Sequence, residues 1–97
     1  MAVYVDTPMV LRHQQRWSHL MADTLPELHA FAARLGLPRR AFQNKRSGAH
    51  YDLTLPMREH ALRLGAISLS RRDDREKLKA VIACARQQAH AAAGVSG

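Results

Sequence analysis

Between Thr24 and Pro38 the chain spells out both ends of one short helix, and that punctuation constrains what can lie on either side. Thr24 and Glu27 form a capping box, in which the hydroxyl accepts from a free amide and the carboxylate reaches back. Pro26 fits the first turn, where amides lack helical partners anyway. Gly36 supplies a left-handed cap and Pro38 prevents a restart. The helix therefore ends at about Leu35, with Leu25, Leu28, Ala32 and Leu35 as its apolar stripe and Phe31 widening it. Just before it, Trp17–Asp23 reads as a strand with His19, Met21 and Asp23 on one face and Leu20 and Ala22 on the other.

The same start and stop chemistry recurs downstream. DTLPELHAFAARLGL and LTLPMREHALRLGA share Thr-Leu-Pro, a His-Ala pair and Arg-Leu-Gly. The helices differ in length by one residue, so shared capping rather than duplication explains the likeness. Thr54 caps the second helix, which runs through about Leu64 to Gly65. His50–Leu53 precedes it as a strand, with His50 and Asp52 on one face and Tyr51 and Leu53 on the other. Ala2–Asp6 alternates and is rich in Val and Tyr, a strand that Pro8 ends. Met9–Arg16 reads as a loop or a short helical turn. Pro38–Gly48 reads as a basic loop with a short extended piece near Ala41–Gln43.

Ala66–Leu69 reads as a buried strand. Ser70 and Asp73 give an S-x-x-D cap for a last helix over about Arg71 to Ala92, striped by Leu78, Val81, Ile82 and Ala85. Residues 93–97 are expected to be a flexible tail. The order β-β-α-β-α-β-α predicts an α/β domain over residues 1–92, with helices packed on a small mixed or parallel sheet.

Composition narrows the class. Ninety-seven residues suit one domain with a modest core, and no apolar run reaches a membrane span. MAVYVDTPMV has no cationic region before an apolar one, so no secretory signal is expected. The single cysteine, Cys84, excludes an internal disulfide and suits a cytoplasmic protein; its alanine-rich surroundings suggest a small core or groove residue. A net charge of +7 favours polyanionic partners.

Two groups of residues carry candidate chemistry. His19, Asp23, His50 and Asp52 would form one patch if their strands were neighbours. Such nitrogen and oxygen donors suit Zn, Mn or a related divalent metal, or acid–base work in which a carboxylate fixes an imidazole tautomer. Glu27 and His29 would then give supporting hydrogen bonds. Against this, no H-E-x-x-H or C-x-x-C spacing occurs, and Asp23 beside a helix start has a capping explanation. Arg39, Arg40, Gln43, Lys45 and Arg46 form the second group, able to grip phosphates while Phe42 stacks on a base. The plainer alternative is a solvated loop with Phe42 in the core. His13, His60 and His90 are assigned to the surface.

Several of these stretches occur together in one family. YVD at Tyr4–Asp6, WSHLMAD at Trp17–Asp23, ELHAFAARLG at Glu27–Gly36, RRAFQ at Arg39–Gln43 and HYDLT at His50–Thr54 resemble a short bacterial and phage family filed as a domain of unknown function. The resemblance implies a shared region from Met1 to about Leu69, with the last helix outside it. It implies no activity or substrate. One departure is Ala41, where the family pattern has Trp.

Three function classes follow. The first expectation is a nucleic-acid- or phosphate-binding module using the Arg39–Arg46 loop. The second is a hydrolase of phosphoesters or nucleotides, metal-dependent or using His/Asp acid–base chemistry. The third is a non-catalytic accessory protein whose His and Asp residues form a structural network. No membrane partner is expected, and a homodimer through the last helix stays open.

Overall fold

The computed structural model describes the chain apart from residues 1, 9, 13, 14, 46, 47, 71, 96 and 97. Six strands form one mixed sheet: β1 (Val3–Asp6), β2 (Val10–Arg12), β3 (Gln15–Ala22), β4 (Gln43–Lys45), β5 (Gly48–Leu53) and β6 (Ile67–Leu69). Their spatial order is β4-β5-β3-β1-β6, with β2 paired to the first part of β3. Only the β1–β6 pair is parallel among these; the others are antiparallel. Three helices, α1 (Leu25–Arg34), α2 (Leu55–Arg63) and α3 (Arg75–Val95), complete the α/β architecture. No described helix is long and apolar enough to cross a membrane.

Strand alternation decides which helix covers which face. Val5, Leu20, Ala22, Tyr51 and Leu53 share one face and pack with Leu28, Phe31, Ala32 and Leu35 of α1 and Ala61 of α2. Burial of a leucine such as Leu20 or Leu53, each fully inaccessible, stabilises the fold by about 1.5–3 kcal/mol. On the opposite face Tyr4, Met21 and Leu69 pack with Leu78 and Val81 of α3. Asp6, His19, His50 and Asp52 lie on that second face.

The helix ends follow the sequence in most respects. Thr24 Oγ1 accepts the Glu27 amide at 3.3 Å and donates to the Glu27 carboxylate at 2.9 Å. Gly36 and Gly65 take positive φ of 83° and 108°, the conformation that favours glycine after a helix. Thr54 precedes α2, but its side chain makes no capping bond. The start of α3 lies later than Arg71. Ser70 Oγ accepts from the amides of Arg72 and Asp73, and the Ser70 amide donates to Asp74 at 2.7 Å. These bonds stabilise a turn just before α3, where the Asp74 amide donates to the Ser70 carbonyl and the Leu78 amide to the Asp74 carbonyl. The helix then continues to Val95, past the expected end at Ala92.

Three other expectations are corrected. In the stretch Met9–Arg16 the described residues are strand rather than loop or helical turn: β2 pairs antiparallel with β3, Val10 opposite Trp17, while residues 9, 13 and 14 lie outside the described residues. The short extended piece expected near Ala41–Gln43 lies two residues later, as β4, after a 3₁₀ turn over Arg39–Ala41. Ala66–Leu69 is less buried than its composition suggests. β6 is an edge strand with Ile67 47% exposed, and its last residue, Leu69, and Ala66 just before the strand reach the cores.

Candidate functional site

Three neighbouring strands set a row of polar side chains on the face of the sheet that carries Tyr4 and Met21. His19 of β3 stands directly opposite Asp52 of β5. On the other side of β3, the register that pairs Val5 with Leu20 brings Asp6 of β1 against His19 one step later. His50 lies two residues before Asp52 on the same face and is paired with Gln43 of β4.

Asp6 fixes the first imidazole. One of its oxygens accepts the His19 backbone amide at 2.6 Å, and the other meets His19 Nδ1 at 2.8 Å. Its side chain is only 3% exposed. A carboxylate on Nδ1 keeps the proton there in the neutral ring and leaves Nε2 as the outward nitrogen. That Nε2 lies 3.8 Å from Asp52 Oδ1, and His50 Nε2 lies 3.4 Å from the same oxygen. The two rings meet edge to face, with centroids 4.5 Å apart. Gln43 donates a short hydrogen bond to Asp52 Oδ2, which turns Oδ1 toward the imidazoles. His19 is about one quarter exposed while His50 is buried, so the group opens to solvent on one side.

The remaining candidate residues lie elsewhere. Asp23 shares the face of His19, but four residues at about 3.3 Å each put it roughly 13 Å along the strand. There it accepts from the Ala2 amide at 3.1 Å and the Tyr4 hydroxyl at 3.3 Å. Glu27 serves the Thr24 capping box. His29 sits on α1, across the sheet, with its Nδ1 2.8 Å from the Tyr51 hydroxyl. Neither residue supports the imidazole pair.

Phe42 is half-buried against His29 and Tyr51, at centroid distances of 4.7 and 5.5 Å, which removes it as an exposed stacking platform. Arg39 and Arg40 are exposed, and Arg39 acts electrostatically on His29 and Tyr51 on the α1 side. Among the described residues of this loop, Gln43 reaches the cluster. The Lys45 side chain and Arg46 lie outside the described residues, as do His13 and the His90 side chain. His60 is exposed. Cys84 is exposed rather than in the core, and its thiol donates to the Asp23 carbonyl at 3.4 Å.

Asp6 was the residue that sequence reasoning missed. The available signal was an acid closing an otherwise apolar alternating strand, Val3–Asp6. Trp17 is a second omission: it occupies the same strand face as His19, two residues away, and is half-buried.

A family model described as a protein of unknown function, DUF4031, matches residues 3–81. The chain belongs to the DUF4031 family. The matched span runs past Leu69 into α3, and so takes in Leu78 and Val81, which close the second core of this DUF4031 protein. No curated protein and no solved structure matches it.

His29 gives a pH prediction separate from the cluster. Burial of its ring, and then the nearby Arg39 charge, lower its pKa from the ordinary 6.5. The unfolded chain therefore binds a proton that the native state resists, so this contribution to stability is present above about 6.5 and is lost as pH falls toward the lowered value. Urea midpoints of wild type and His29→Gln should diverge least near pH 5 and most near pH 7.5. A wild-type-minus-variant difference that does not change with pH would rule this contribution out.

Proposed function

We propose that this DUF4031 protein is a hydrolase of phosphoesters or nucleotides, with His19, His50 and Asp52 as its reacting centre. One observation carries the reading: Asp6 holds His19 so that Nε2 faces both His50 and Asp52, in a cluster open to solvent on one side. A tautomer fixed by a buried carboxylate is what acid–base or metal-assisted activation of water requires. The net charge of +7 favours an anionic substrate.

A second reading, a nucleic-acid- or phosphate-binding module without chemistry, is favoured by the exposed Arg39 and Arg40 together with that net charge. It ranks lower because Phe42 and Gln43, which were to complete the grip, are engaged elsewhere. A third reading, a structural polar network in an accessory protein, is addressed by the His50 variants discussed below.

One assay series separates the first two. Purified protein is incubated with a phosphomonoester, a phosphodiester, nucleoside phosphates and single-stranded oligonucleotides, with and without added Zn²⁺ or Mn²⁺. Turnover of at least one substrate class is expected. Absence of turnover across the panel, together with oligonucleotide binding that weakens steeply with salt and on Arg39→Glu, would establish the binding module instead.

A further inference from the structure

The outward nitrogen of His19 faces an oxygen that cannot donate to it. With the proton of the neutral ring held on Nδ1 by Asp6, Nε2 presents a lone pair toward the Asp52 carboxylate. His50 Nε2 is turned to the same oxygen. The separations of 3.8 and 3.4 Å exceed the usual 2.7–3.2 Å of an N–H···O bond. His19 Nε2, His50 Nε2 and Asp52 Oδ1 thus converge as three candidate ligand atoms.

The spacing matches that of donors around an ion. Ligands at about 2.0–2.2 Å from a tetrahedral centre stand about 3.4 Å from one another. One ligand atom from each of His19, His50 and Asp52 lies within 4.8 Å of the other two. Small side-chain rotations would bring all three onto one ion. The surroundings also suit a metal site: each of two ligands has an orienting partner, Asp6 on His19 and Gln43 on Asp52.

We infer that His19 Nε2, His50 Nε2 and Asp52 Oδ1 bind one first-row transition-metal ion of the Zn²⁺ or Mn²⁺ type, with Asp6 and Gln43 as orienting residues. Two imidazoles and one carboxylate favour such an ion over Mg²⁺ or Ca²⁺, which prefer all-oxygen sites. Three protein ligands leave coordination positions for water and for an anionic substrate. The inference rests on the same cluster as the proposed hydrolase and names its cofactor. It replaces the Asp23-containing ligand set that the sequence suggested.

The test uses Co²⁺ as a spectroscopic probe and Zn²⁺ in calorimetry, on the full chain freed of metal by chelator. One equivalent should bind, give the visible absorption of four- or five-coordinate Co²⁺, and resist displacement by millimolar Mg²⁺. His50→Ala and Asp52→Asn should abolish that signal, with His50→Gln as the volume-conserving check on folding. Gln43→Ala should weaken affinity by about 10–100-fold, and the exposed His60→Ala should leave it unchanged. Failure to bind, or binding undiminished in the His50 and Asp52 variants, would overturn the inference. Metal binding without turnover would sink the hydrolase alone, whereas turnover without metal binding would sink the metal alone.

Discussion

Asp6→Asn is expected to keep the fold, within about 1–2 kcal/mol, while lowering turnover by roughly 10³–10⁴-fold. The asparagine oxygen can still accept the His19 amide, the bond that Asp6 makes at 2.6 Å. Its other end is now an NH₂ group, which must donate to His19 Nδ1. The ring proton is thereby moved to Nε2, where it points at Asp52. Every polar group remains paired, so the variant loses little stability. Removing a buried charge also relieves its desolvation, which offsets part of the lost charge-assisted bonding. The reacting nitrogen, however, has become a donor and can neither accept a proton nor ligate a metal. Chemical denaturation, turnover and the imidazole nitrogen NMR shifts of His19 together check the argument. An Asp6→Asn protein with the flipped tautomer and undiminished turnover would remove His19 Nε2 from the chemistry.

That Asp6 has this role was not legible in the sequence, although most of the architecture was. The capping residues Thr24 and Glu27 and the glycines at 36 and 65 mark helix boundaries through local bonds and backbone freedom, and local effects can be read locally. Alternation likewise put His19 on one face of its strand and Asp52 with His50 on one face of another. What alternation cannot supply is the neighbour across the sheet or the position along it. Asp23 has the right parity for His19 but lies too far along β3. Asp6 is thirteen residues away in sequence yet hydrogen-bonded to it, because β1 runs antiparallel beside β3. Gln43 was assigned to a phosphate-gripping loop because its sequence neighbours are cationic. Its strand pairing with His50 instead delivers it to Asp52. His29 fails for a related reason: a helix lies on one face of a sheet, and α1 lies on the face opposite the cluster. The β2–β3 pairing was hidden because the polar run Arg12–Arg16 lacks the apolar alternation by which strands are recognised.

His50→Ala is expected to reduce turnover by at least about 100-fold and to lower the melting temperature by several degrees. The second effect alone says nothing about function. His50 is buried and packs edge-on against His19, so deleting its ring leaves unfilled volume beside β3 whatever the ring does. A purely structural network would give the same loss of stability. His50→Gln separates the two cases, because glutamine approximately retains the volume and its terminal NH₂ can donate to Asp52, filling the place that a metal or a proton would take. If the cluster is only structural, His50→Gln should recover the melting temperature and leave nothing else to recover. If it is a reacting centre, the glutamine variant should melt near wild type yet stay as inactive as alanine, since an amide is a poor ligand and does not exchange protons near neutral pH. A glutamine variant that is both stable and fully active would reduce His50 to packing, and the hydrolytic reading would then depend on His19 and Asp52 alone.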